Sequence, residues 1–383
     1  KYVLLVAIII TGIIIALSKM IHFRSVYYIH VILVIFLILH SKSGCKEVSN
    51  IYNIIGTIEN DDWQFVRNLF QQNFIDGLDL GASLAIYHNG KLVVDLCGGW
   101  FDQEKTKSYT NDTLELILST SKGIVAIAVA LCVQNGLIDC NERVTKYWPE
   151  YGQNGKEETT VADIMSHSAG LPDLVGSFTL EEALNWTIVV DTLEKQKPLW
   201  KPGTRHVYHR FTFGWLAGEI IRRVDRKNRT FGQFIQDEII KQTKTEFYIG
   251  LPSEYEYRVS PFIEKNSNSS ITIVQANSSS NPLSQRSVFN DPRVHQAEIP
   301  AVNGITNAKS LARIYASLIG NLYDGGQRLL NENILKQATK SSVSENDSDK
   351  IPLNQTISFA MGFTLYGQYV LGDGSFGHSG KLP

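Results

Sequence analysis

The chain is short of several things, and each shortage closes off a class of function. Four cysteines in 383 residues (Cys45, Cys97, Cys132 and Cys140), with no CxxC pair, are too few and too scattered for a disulfide scaffold. Nine histidines include no HxH or HExxH spacing. His167, His206, His209, His295 and His378 therefore do not read as a metal set, and no cofactor is expected. Charge of one sign is also lacking. A formal net charge of −2 gives no electrostatic reason to expect nucleic acid as a partner. No segment repeats another. Cys132 falls in an apolar stretch and reads as a buried free thiol.

What is present is a chain that is 43% hydrophobic and 19% charged, ample for one large core or two intimate subdomains. Two runs stand apart from that average. YVLLVAIIITGIIIALS (2–18) and VYYIHVILVIFLILH (26–40) flank a polar break holding Lys19 and Arg24. The first approaches the roughly 20 residues that cross a bilayer. Residues 1–45 thus read as a hydrophobic membrane anchor, the alternative being a signal peptide cut near Ala16-Leu17-Ser18. Residues 46–56 read as a linker and 57–383 as the body. The positive-inside rule keeps the break cytoplasmic and puts the body on the lumenal or extracellular side, with a mitochondrial location as the alternative. Seven N-x-[ST] sequons, at Asn111, Asn185, Asn228, Asn268, Asn277, Asn346 and Asn354, fit a glycoprotein on that side.

Along the body, Trp63, Val66, Phe70 and Phe74 have helical spacing, with Asp61 or Asp62 as a cap and Gly77 as a stop. Two β-rich runs then flank His88-Asn89-Gly90, a hairpin signal. Helices are expected over about 119–134 (ended by Asn135-Gly136), 160–171, from about 213, and 303–322 capped by Asn307. Residues 264–290 read as a loose polar insertion, and 341–356 as a loop. Two strand-like runs close the chain around Gly372-Asp373-Gly374. The order predicts an α+β fold, an antiparallel sheet drawn from both chain ends, flanked by helices and interrupted by a helical region.

Chemistry concentrates at LILSTSKGIV (116–125). Ser119 and Lys122 lie three apart, on one face of any helix starting here, inside an apolar run. Alone, Ser-x-x-Lys is weak: Ser43 and Lys46 repeat it in the polar stretch ahead of the body. The pair reads equally as a capping serine with a snorkelling lysine. Its context supplies the sharper reading. A helix N-terminus favours developing negative charge on Ser119, and burial of Lys122 disfavours its ammonium, leaving an amine able to take the hydroxyl proton. Tyr208, after a Pro-Gly turn, is a candidate second proton carrier, since a phenol beside an ammonium ionises more easily. Gly377-His378-Ser379-Gly380-Lys381 suggests a strand whose glycines admit a substrate, the Lys381 N–H pairing with that of Ser119 at an oxyanion. The same five residues nearly match the G-x-S-x-G elbow of α/β-hydrolases. Lys381 breaks that motif, and too little chain follows Ser379 to hold the acid and histidine.

STSK (119–122), Tyr208 after KPGTR and HSG (378–380), in this order and spacing, resemble the serine β-lactamase-related family of class C β-lactamases, penicillin-binding proteins and family VIII carboxylesterases. LIDCNERVTKYWPEY, DIMSHSAGLPDL and PAVNGITNAKSLARIYASL resemble further segments of that family, so the likeness covers residues 57–383. The resemblance implies a β-lactamase/transpeptidase-like fold. It makes Ser119 the nucleophile, Lys122 its base and Tyr208 the second proton carrier, with His378, Ser379, Gly380 and Lys381 lining the site. Two positions depart from the family. Arg210 stands where class C enzymes carry the asparagine of Tyr-x-Asn, and His378 replaces the lysine of Lys-Thr-Gly. Both departures favour esters or small amides over lactam antibiotics as the acyl substrate. The family adds closing strands and a helix after HSGKLP, so the domain is expected to be truncated at its C-terminal end. The rival reading is an inactive pseudo-hydrolase serving as a binding or assembly module.

Overall fold

The computed structural model describes residues 52–263, 281–341, 357–366 and 371–380. The expected anchor, most of the linker, and Lys381 lie outside them. Among the described residues no helix is long and apolar enough to cross a membrane. The linker reading runs too long. Strand β1 (Ile55–Ile58) begins within it, because Ile54 is buried and Tyr52 stacks on Phe74 at 5.5 Å.

Helix α1 (Gln64–Ile75) lays Val66, Phe70 and Phe74, at fourfold spacing, against Val93, Val94 and Leu96. Its cap is not Asp61 or Asp62. Asn60 is extended and accepts from the Asp62 N–H at 3.1 Å, starting a short 3₁₀ turn ahead of the helix. Strands β2 (Gly81–His88) and β3 (Lys91–Gly99) form the expected hairpin on Asn89 and Gly90, both left-handed, and β1 pairs with the other edge of β3.

A second small sheet positions the Ser119 region. Strand β4 (Glu115–Leu116) pairs antiparallel with β6 (Ile305–Thr306), which also pairs with β5 (Phe247–Tyr248). Helix α2 (Ser121–Gln134) leaves β4 through a 3₁₀ turn and is apolar on every side from Ile124 to Cys132. Such a helix belongs at the centre of a core. Trp148, Tyr151, Met165, Phe213, Trp215 and Phe363 belong to the same buried core. Helix α3 (Val161–Met165) carries a Thr160–Asp163 capping box and stops earlier than residue 171, because His167 turns left-handed at φ +63°. Helix α4 (Thr212–Val224) packs on α2, and helix α5 (Ala308–Ile319), capped by Asn307, packs on β2.

Strands β7 (Ile357–Phe359), β8 (Thr364–Tyr366) and β9 (Ser375–Gly377) form an antiparallel meander. Among the described residues, the strands from the two chain ends hydrogen-bond as separate sheets. Helix α5 bridges them, touching β2 on one side and, through Tyr315, Phe376 of β9 on the other. The architecture is the expected α+β one.

Residues 281–290 are not loose. Asn281 caps a 3₁₀ turn at Pro282–Ser284, a second turn covers Arg286–Asn290, and Leu283 and Phe289 are buried.

Among the described residues two lysines are wholly buried, and their partners differ. Lys156 donates to three carbonyls, of Gln153 (2.9 Å), Glu194 (2.9 Å) and Gln196 (2.7 Å). An ammonium has three N–H groups and an amine two, so Lys156 is a structural ammonium. Lys156→Met would strand three carbonyls, each worth about 1–3 kcal/mol when buried unpaired. We expect a loss of about 2–4 kcal/mol of stability with the arrangement around Ser119 intact. The urea midpoint checks it; an unshifted midpoint contradicts the assignment.

Candidate active site

The local chain places Ser119 in the 3₁₀ turn (Leu118–Thr120), and Lys122 in the first turn of α2. Sequence spacing put both in one α-helix; the turn is tighter because Leu118 is left-handed at φ +47°. For a branched, bulky residue this is a strained conformation of about 1–3 kcal/mol, which persists only where neighbours enforce it. The enforcers are visible. The Ile117 N–H donates to Gly304 O at 2.8 Å, the Ser121 hydroxyl donates to Leu118 O, and the Gly304 N–H donates to Ser121 Oγ at 2.9 Å.

Lys122 Nζ lies 3.2 Å from Ser119 Oγ, 2.8 Å from Arg210 O and 3.1 Å from Ala301 O. Its side chain is wholly buried. Burial, reinforced by the Arg210 charge, holds its pKa well below the usual 10.5. Unlike Lys156, it has two carbonyl acceptors and a hydroxyl. A neutral amine gives its two hydrogens to the carbonyls and turns its lone pair on the Ser119 proton.

Tyr208 is held from both sides. The Val207 N–H donates to His167 O (3.1 Å) and the His209 N–H to His167 Nδ1 (3.1 Å), while His209 Nε2 accepts from the Leu171 N–H (3.1 Å). The turn after α3 is thereby pinned to the segment leading into α4. The Tyr208 ring lies against His167 (4.8 Å) and His378 (6.1 Å), with Lys122 Nζ 4.7 Å from its centroid. Although 36% of Tyr208 is exposed, its side chain lines the same cavity as Ser119. Burial pushes its pKa up to about 12, against the smaller opposing effects of Ser119 and Arg210. This corrects one expectation. With Lys122 uncharged, no ammonium eases the phenol's ionisation, and Tyr208 is a neutral proton donor and acceptor.

The stretch after β9 runs past the Ser119 turn. A Cβ on Gly380 would sit 2.2 Å from Ile117 O and 2.8 Å from Thr120 Oγ1, so only glycine allows this approach. His378 is half-buried. Burial, the largest cause, lowers its pKa to about 4, so the ring is neutral and supplies no fixed positive charge. Ser379 is exposed, its carbonyl bonded to His378 Nδ1 at 2.9 Å. Arg210 and Ser119 line a common cavity of about 180 Å³, walled by Leu118, Phe211, Leu283, Phe289 and Val302.

The expected residues Ser119, Lys122, Tyr208, Arg210, His378 and Gly380 therefore converge. Sequence reasoning missed the Ala301–Gly304 segment, which gives a carbonyl to Lys122 and clamps the Ser119 turn. It also missed Ser121. The Asn303-Gly304 pair was the available turn signal, but main-chain acceptors leave no residue-type signature.

A hydroxyl within hydrogen-bond reach of a dehydrated amine, at the head of a buried helix and faced by a phenol, has the geometry of a serine acyl-transfer site. The chain belongs to the β-lactamase family of serine hydrolases: the family model described as Beta-lactamase matches residues 70–383. It is similar to Esterase/beta-lactamase LipL of Mycobacterium tuberculosis, 29% identical over 291 residues, which cover 72% of this chain and 67% of LipL. Its fold is similar to a family VIII carboxylesterase, with 29% identity, TM-score 0.72, and 85% of this chain and 87% of that one covered. A penicillin-binding protein homologue from Caulobacter crescentus matches at 30% identity and TM-score 0.72, covering 86% and 88%.

Proposed function

We propose that the chain hydrolyses carboxylic esters or small amides through an acyl-enzyme on Ser119. The observation carrying this is the buried Lys122 Nζ, 3.2 Å from Ser119 Oγ and 2.8 and 3.1 Å from the Arg210 and Ala301 carbonyls, where an uncharged amine gives its hydrogens to the carbonyls and its lone pair to the hydroxyl. Lys122 accepts the hydroxyl proton as Oγ attacks the acyl carbon. Tyr208 passes a proton to the departing alcohol or amine, and water then releases the acid by the reverse relay. The oxyanion falls to the main-chain N–H of Ser119, with that of Lys381 as its proposed companion. Neutral His378 offers no cation for a lactam carboxylate, which supports esters over lactams as the preferred class.

The test is covalent. A fluorophosphonate should label the folded full-length chain, and mass spectrometry of the digest should place the adduct on the peptide containing Ser119. A folded protein that resists labelling and cleaves no p-nitrophenyl ester would favour the binding-module reading.

The proposal extends to location: residues 1–45 tether the enzyme to a membrane with its body lumenal or extracellular. Asn111, Asn185 and Asn228 are all exposed, which supports glycosylation there. An endoglycosidase-induced fall in mass of the membrane-extracted protein is expected; no change would count against a lumenal body.

A further inference from the structure

The cavity beside Ser119 carries a charge that takes no proton in the hydrolytic steps. Arg210 is half-buried in its wall, with its guanidinium 5.6 Å from the Phe211 ring centroid. Among the described residues no carboxylate lies within ion-pair distance of it, and neither Asp nor Glu lines the cavity. Arg229, Arg258 and Arg313, by contrast, each meet a carboxylate directly. A second guanidinium, of Arg286, lines the same cavity and is exposed. A partly dehydrated cation without an anion is costly to keep, and the cost is recovered when a ligand supplies the anion. Apart from the hydroxyl groups of Ser119, Tyr208 and Ser284, the remaining walls, with Phe211, Leu283, Phe289 and Val302, are apolar.

We propose that this cavity is an acyl subsite for a short aliphatic chain ending in a carboxylate, with Arg210 as the specificity-determining residue. The substrate class is thus a half-ester of a dicarboxylic acid. This deepens the proposed esterase reading and rests on it. Ser119 Oγ bonds to the ester carbonyl carbon as its proton passes to Lys122. The acyl C–O bond breaks, and the alcohol leaves with a proton delivered through Tyr208. Water then cleaves the acyl-enzyme to the free dicarboxylic acid. The distal carboxylate stays intact throughout, paired with Arg210. The alternative, that Arg210 serves only to depress the Lys122 amine, predicts no preference for charged acyl chains.

The experiment compares kcat/KM of the full chain for p-nitrophenyl hexanoate, mono-p-nitrophenyl adipate and the p-nitrophenyl ester of an ω-amino hexanoic acid. Chain lengths are close and only the terminal charge differs. The adipate should be favoured over the hexanoate by about tenfold or more, as a charge-assisted hydrogen bond supplies, and the amino ester disfavoured. That ratio should shrink as salt screens the pair. In Arg210→Gln it should fall to near unity, and in Arg210→Lys recover in part. The ratio is internal to each variant, so a general fall in rate does not confound it, and the salt series needs no variant. Equal rates for adipate and hexanoate in wild type overturn the subsite while leaving the esterase reading standing. So does a preference for the hexanoyl ester of a hydroxynitrobenzoic acid, which puts the anion on the alcohol. Failure to cleave any of these esters would fall on the esterase reading instead.

Discussion

Replacing Lys122 by alanine should cut the rate of acylation by about a hundred- to ten-thousand-fold, the range general-base removal gives. Ser119 keeps its place, since the bonds of Ser121, Ile117 and Gly304 hold its turn independently of the lysine. What is lost is the only nitrogen within reach of its proton among the described residues. Lys122→Arg should not rescue, because a guanidinium does not surrender its proton at any working pH. The truncation also bares two carbonyls, so circular dichroism and a urea melt must accompany the kinetics. The pH profile gives an independent reading. Acylation requires the uncharged amine, so kcat/KM should fall as pH drops through the depressed Lys122 pKa, and stay level above it. On the alkaline side the phenol keeps its proton until about 12, so no second limb is expected in the assay range. Activity that appears only near the ordinary lysine pKa, or a folded Lys122→Ala within tenfold of wild type, would remove Lys122 from this role.

The second large effect is expected at Tyr208, and it should depend on the leaving group. The phenol is neutral and lines the cavity with Ser119, placed to hand a proton onward rather than to start the reaction. A p-nitrophenolate departs without help; an alkoxide does not. Tyr208→Phe should therefore slow hydrolysis of alkyl esters by about a hundredfold or more and of p-nitrophenyl esters far less. The ring contacts with His167 and His378 survive in phenylalanine, so the fold should be unaffected. Equal losses on both ester types would mean that Tyr208 positions substrate and does not carry a proton.

Much of this was legible in the chain because it is encoded locally. Asn89-Gly90 demands a left-handed turn, and the Val66-Phe70-Phe74 spacing demands one buried face. An apolar stretch from Ile124 to Cys132 has no polar face to turn outward, so it must be central. Ser119, Lys122 and Tyr208 were visible because an amine and a hydroxyl stand out in apolar company. The rest depended on non-local contacts. Nothing in PAVNG announces that Ala301 O meets Lys122, as a carbonyl is common to every residue. The burial that keeps Tyr208 protonated comes from elements distant in sequence, and the residue types alone suggested the opposite shift. The left-handed Leu118 was equally hidden, since its strain is imposed by Ser121 and Gly304 rather than by leucine.

The partners of Lys122 also bear on how the enzyme diversifies. Its two carbonyl acceptors belong to the main chain, which point mutation leaves in place, whereas Phe211, Leu283, Phe289 and Val302 shape the cavity with side chains. Arg210 apart, whose charge also acts on Lys122, the groups that hold the amine and those that shape the cavity are thus separate. A change at Phe211, Leu283, Phe289 or Val302 therefore reshapes the cavity while both carbonyls stay on the Lys122 nitrogen.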